Sequence, residues 1–292
     1  MNRHHQRTFP WALLSAAILL AMLNGTAPAA EPGLPNPFFV FSNGLGGIAD
    51  PPKVLDELGY AGVGISGLNV LGAVQQYERA GLKVFNTYVG CRLDKTPAYD
   101  PQFKQAIEEL KGTGVVLWLT VLGGKYGQED DKAGDVLREI ADLAATSDLR
   151  VALYPHAGFY VATTADALRL AKKADRKNLG VSINLCHELM TDQGPKLDET
   201  IREAAPHLFV VSINGADVKQ PGYSWDRLIQ PLGQGDFDVC SFLAKLKAIG
   251  YRGPIGLQCY AVKGDKLENL RQSIKAWNEY RARLGAEGSD GK

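Results

Sequence analysis

Two short runs, "YPH" with Tyr154 and His156 and "NLCH" with Asn184 and His187, bring together groups able to move protons near neutral pH. Histidine titrates in that range unaided, and a tyrosine can act as an acid toward a carbonyl oxygen. Asp217, in "SINGADV", adds a carboxylate. His156, His187, Tyr154 and Asp217 are the acid–base set this predicts. The polar residues near them are mostly neutral: Asn86, Tyr88, Asn184, Asn214 and Gln258, with Trp225 in "GYSWD" offering a stacking face. Amides, hydroxyls and aromatic faces in one mouth suit a small-molecule carbohydrate. Two histidines and a carboxylate can also hold a divalent metal. A displaced site of His156, His187 and Asp217 therefore stays open beside the expectation of no cofactor.

These residues need elements that deliver them to one place. Short apolar runs predict strands at 38–42, 61–65, 83–88, 115–121, 151–155, 179–184, 208–213 and 254–260. Their unbroken hydrophobicity marks strands buried on both faces, as in a parallel sheet. Amphipathic stretches lie between them, such as "PPKVLDELGY", "DPQFKQAIEELKGTG" with Asp100 as N-cap, and a long closing "KLENLRQSIKAWNEYRARL". Eight strand–helix units predict an α/β fold of the (β/α)8 TIM-barrel class, in which chemistry gathers at the C-terminal ends of the strands. The glycine-rich "NGLGGIAD" after the first strand lacks dinucleotide-fingerprint spacing and argues against a doubly wound sheet. The acid–base and amide candidates sit near strand ends, and Trp225 lies on the loop after the seventh strand.

The segment "LGQGDFDVCSFLAKLKAIGYRGPIGLQCY" resembles the closing part of the xylose-isomerase-like family of sugar (phosphate) isomerases and epimerases. "PPKVLDELGYAGVGI" resembles that family's opening helix and second strand, "VALYPHAG" its fifth strand and "VSINLCHEL" its sixth. The resemblance implies a divalent metal held by a glutamate, an aspartate, a histidine and a glutamate from strands five to eight, with the glutamates shuttling a proton. Here those positions fall on Tyr154, Asn184, Ser212 (or Asn214 if the register slips) and Gln258. His156 and His187 match the family's accompanying histidines. Neutral oxygens bind hard cations poorly, and a glutamine amide does not titrate near neutral pH. The usual metal site and double-glutamate machinery are thus expected to be absent.

Composition narrows the partners. The 292 residues carry 32 basic and 32 acidic side chains, which gives no basic excess to recruit nucleic acid or an anionic membrane. Residues 1–30 read as a signal peptide: a basic start, the apolar "WALLSAAILLAML" and small residues for cleavage. They predict a periplasmic or secreted protein without a membrane span in its mature form. Residues 31–37 read as a linker, 38–285 as the barrel and 286–292 as a disordered tail. The four cysteines show no C-x-x-C spacing, and Cys186 and Cys259 are expected in the core. The expected function is that of an exported sugar isomerase or epimerase, moving a proton next to a carbonyl of a neutral carbohydrate. Two alternatives stand beside it. One is a barrel that has lost catalysis and binds a sugar or partner protein; the other is a lyase or hydratase acting on an oxidised sugar.

Overall fold

A computed structural model describes residues 33–219 and 222–286; the expected signal peptide lies outside them. Eight parallel strands close in sequence order into one barrel. They are β1 (Phe38–Phe41), β2 (Gly62–Ser66), β3 (Lys83–Arg92), β4 (Val116–Leu122), β5 (Val151–Leu153), β6 (Leu179–Asn184), β7 (Leu208–Ile213) and β8 (Ile255–Leu257). The connecting helices are α1 (Pro51–Leu58), α2 (Leu71–Arg79), α3 (Phe103–Glu109), α4 (Asp130–Ala145), α5 (Thr164–Ala174), α6 (Leu185–Met190), α7 (Leu197–Ala204), α8 (Trp225–Leu228), α9 (Val239–Ala248) and α10 (Lys266–Ala286). The (β/α)8 barrel read from the sequence is the observed fold.

Side-chain alternation along the strands divides the core in two. On β1, Phe38 faces outward and stacks on Trp277 of α10 at 4.3 Å. Phe39 and Phe41 face inward and join Val116, Trp118, Ala152, Tyr154 and Val210 inside the barrel. The neighbouring strands make room for these rings. A Cβ on Gly64 of β2 would sit 2.9 Å from the Phe39 ring, and one on Gly256 of β8 would sit 2.6 Å from the Phe41 ring and closer still to Phe39. The glycines inside "AGVGI" and "PIGLQ" are the counterpart of two inward phenylalanines.

The seam where the last strand meets the first is pinned at both ends by amide side chains. Asn36 donates to the carbonyls of Tyr251 (3.1 Å) and Gly253 (2.8 Å) at the bottom. Asn43 donates to Oε1 of Gln258 (3.0 Å) at the top. The segment read as a linker is therefore docked from Gly33 onward: Leu34 is in the core, and its carbonyl accepts from Arg281 of α10. All four cysteines are buried, which agrees with a packing role. No described helix is long and apolar enough to cross a membrane.

Candidate functional site

A cavity of about 350 Å³ opens at the C-terminal ends of the strands. Its floor is aromatic: Trp118 meets Phe41 edge-on at 4.9 Å and Tyr154 at 4.5 Å, and Tyr88 meets Tyr154 at 5.1 Å. The walls bring together Asn86, His156, His187, Trp225 and Gln258. His156 lies against the rings of Phe159 (3.9 Å) and His187 (4.2 Å), and Trp225 stands 5.2 Å from His187. None of the residues lining the cavity is Asp, Glu, Lys or Arg.

Hydrogen-bond partners fix the proton positions. Backbone N–H groups only donate and carbonyls only accept, so each histidine's tautomer follows from its backbone contact. The N–H of Ala157 donates to Nδ1 of His187 (3.3 Å). The neutral ring then carries its proton on Nε2, which lies 3.3 Å from the Tyr154 oxygen and donates to it. Gln258 is oriented in the same way. Its Oε1 accepts from the N–H groups of Cys259 and Tyr260, both at 2.9 Å, which turns Nε2 toward Tyr154 at 3.3 Å. The Tyr154 oxygen thus receives two hydrogen bonds, and its own O–H is left for something else. His156 is the reverse case. Its Nδ1–H donates to the Ala157 carbonyl at 2.9 Å, which leaves Nε2 as a bare lone pair with no hydrogen bond among the described residues.

Burial sets the charge states. It pushes the Tyr154 phenol well above its ordinary value, and the nearby Cys186 and Tyr88 add to that push; the Gln258 bond opposes it. Tyr154 therefore stays protonated, with its O–H available to donate. Burial, and then repulsion from His156, drops His187 to about 3. Burial also lowers His156, against the pull of the Ala157 carbonyl. Both rings are neutral at pH 7, and only His156 shows an open lone pair.

Three expected site residues lie elsewhere. Asn184 donates to the Pro155 carbonyl (3.0 Å) and accepts from Ser212 (3.0 Å), so its amide braces the ends of β5, β6 and β7 behind the cavity wall. Asn214 donates to the carbonyls of Gly215 (2.9 Å) and Leu228 (2.5 Å). Asp217 accepts from Gln230 at 2.6 Å and does not line the cavity. This separates Asp217 from His156 and His187, and the described residues contain no cluster of three or more His, Cys, Asp or Glu able to hold a metal. The donor set does not fit the cation that the family resemblance implies: two of the four matched positions, Asn184 and Ser212, are bonded to each other.

Two buried residues of this region were not singled out from the sequence. Trp118 sits in the middle of "VVLWLTV", where continuous hydrophobicity hides which residues face inward. Glu188, next to His187 on α6, is buried outside the cavity lining and accepts from both the N–H and the hydroxyl of Thr164, each at 2.7 Å, tying α6 to the start of α5. The signal for it was a carboxylate inside an otherwise apolar "LCHELM".

Eight parallel strands closed in order, with a cavity at their C-terminal ends, define a protein of the (β/α)8 TIM-barrel class. The family model described as xylose isomerase-like TIM barrel matches residues 55–280, and the chain belongs to that family. A 3-dehydroshikimate dehydratase from Pseudomonas aeruginosa is 29% identical over 181 residues, covering 60% of this chain and 28% of that protein. One from Pseudomonas putida is 25% identical over 215 residues, covering 70% and 34%. The chain thus spans about a third or less of the length of these curated relatives. A solved 3-keto-D-glucoside 4-epimerase from E. coli superposes with a TM-score of 0.65 at 19% identity, over 84% of this chain and 99% of that one, and shares the fold.

Proposed function

We propose that the protein abstracts a proton from the carbon next to a carbonyl in a small neutral polyhydroxylated compound, without a metal. The observation that carries this reading is the opposed commitment of His156 and Tyr154: one shows a bare Nε2, the other an uncommitted O–H. His156 takes the proton from carbon while Tyr154 donates to the carbonyl oxygen, and an enediol-like intermediate results. The protonated His156 then gives its proton to the neighbouring carbon, making an isomer, to the opposite face of an intermediate that has turned over, making an epimer, or to a departing hydroxyl, which leaves as water. In each case Tyr154 recovers a proton from the enediol as the product carbonyl forms. Similarity to the dehydratases supports the second outcome, and similarity to the epimerase fold leaves the first open. The uncharged lining favours ligands without phosphate or carboxylate. Residues 1–30 carry the further proposal of export to the periplasm or beyond.

The test is solvent-deuterium exchange followed by NMR, with chelator-treated protein and a panel of aldoses, ketoses and keto-glycosides. Exchange at a carbon next to the carbonyl supports the reading, and product analysis separates isomerisation from loss of water. Binding without exchange across the panel would make the barrel a binding protein. Activity that returns only when metal is restored would overturn the metal-free chemistry.

The acid half of the pair has its own check. In Gln258→Glu one carboxylate oxygen stays with the two backbone N–H groups, and the other faces Tyr154 as an acceptor. The phenol proton turns to it, and the ligand loses its donor. The exchange rate is expected to fall by about 10²–10³-fold with the fold retained; an unchanged rate would remove Tyr154 from the chemistry.

A further inference from the structure

Among the amide side chains in and around the cavity, Asn86 differs in kind. Asn43, Asn184, Asn214 and Gln258 each bond to protein partners. Asn86 is fully buried on β3, lines the cavity, and has neither Nδ2 nor Oδ1 paired among the described residues. Buried amides are almost always bonded, because an unpaired one loses its hydration and gains nothing. Its position is enforced: β2 and β3 shift register between Val63 and Gly64, and Gly64 pairs with Asn86. A Cβ at Gly64 would stand 2.5 Å from Oδ1 of Asn86. Tyr88, two residues along the same strand, faces the same side and meets the Tyr154 ring.

The geometry points to Asn86 as the group that reads a hydroxy-ketone. Nδ2 donates to the carbonyl or to a hydroxyl oxygen, and Oδ1 accepts from the neighbouring hydroxyl. The amide and the Tyr154 phenol together grip the two adjacent oxygens. Asn86 is then the specificity-determining residue. The substrate class is an uncharged compound with a hydroxyl on the carbon beside the carbonyl. This rests on the acid–base reading above.

The experiment measures binding apart from turnover. Quenching of tryptophan fluorescence, with Trp118 and Trp225 in the cavity wall, reports binding of methyl 3-keto-D-glucoside and of its 2-deoxy and 4-deoxy counterparts. The native protein is expected to prefer the hydroxy-ketone over at least one deoxy analogue by about ten-fold or more. Asn86→Leu should erase that preference and unfold at the same or a higher urea concentration, because it removes two unpaired polar atoms. Asn86→Ala, which adds no atom near Gly64, gives the same comparison if leucine does not fold. A variant that keeps the preference, or a native protein that binds none of the three probes, overturns the proposal. So does a variant of markedly lower stability with the preference intact, which would make the amide structural. Preference without deuterium exchange leaves Asn86 in place and removes the acid–base reading; equal exchange on ketone and deoxy-ketone does the opposite.

Discussion

His156→Ala is expected to lower the rate of proton abstraction by about 10²–10⁴-fold, the range in which a positioned general base contributes. His156 supplies the open lone pair at the cavity, since its Nδ1–H is held by the Ala157 carbonyl. Burial lowers its pKa from 6.5, so the base form persists below the usual midpoint and the acid limb of the rate–pH profile should lie under 6.5. The substitution removes an imidazole stacked on Phe159 and leaves the barrel's interior cluster untouched. A small molecule base such as free imidazole should restore part of the rate. The contrast is His187→Ala, which loses the donor to Tyr154 and not the base; it should weaken the reaction less and without rescue. Equal losses in the two variants, both rescued, would show that the tautomers are assigned the wrong way round.

The second large effect is on stability. His187 has a folded-state pKa of about 3 against 6.5 unfolded. The unfolded chain therefore binds a proton as pH falls through 6.5, while the folded chain refuses it until about 3. The contribution is fully present above 6.5 and is lost progressively below it. At about 1.4 kcal/mol per unit, lowering the pH from 7.5 to 5 should cost about 2 kcal/mol through this residue alone. Glu188 has the opposite sign. Burial raises it from 4.5 to about 6, so its ionisation opposes folding as pH rises from 4.5 through 6, and acid relieves that cost. Comparing native protein with His187→Gln cancels the Glu188 contribution, because both chains carry it. Urea midpoints at pH 7.5 and 5 should show a loss smaller by about 2 kcal/mol in the variant. Parallel pH dependence in the two proteins would mean that His187 takes up its proton when folded.

The strands were legible because a closed parallel barrel buries both faces, so each reads as an unbroken apolar run. Helices were legible from apolar spacing, with a cap or without one: α4 and α7 have no side-chain cap. Asp50 caps α1, and Gly59 ends it with a positive φ. No such signal marks α2, whose N-cap is Val70 with no side-chain bond and whose first turn contains Gly72; the sequence reading passed over it. Asp100 caps an earlier turn, accepting from Gln102 N–H at 2.8 Å, while α3 begins at Phe103. The short α6, which follows β6 directly, and α8, in the long connection after β7, were not foreseen as helices. For the site, strand exits told which residues reach the mouth. They could not tell which polar groups are already engaged. Asn86 and Asn184 have the same side chain and comparable positions, yet one is unpaired and the other braced by Pro155 and Ser212. That difference arises from neighbours far away in the chain, and local pattern carries no trace of it.

The seam between β1 and β8 bears on how the molecule is made. Asn43 and Gln258 are 215 residues apart in the chain, and Asn36 and Gly253 are 217 apart. Contacts of such separation form late, since the intervening chain must be ordered before they repay its loss of freedom. A nascent polypeptide that has not yet released its eighth strand holds β1 with one edge unpaired and no ring to close. Assembly of the mouth, which takes Asn43 from one side of that seam and Gln258 from the other, is thus deferred until β8 has been synthesised.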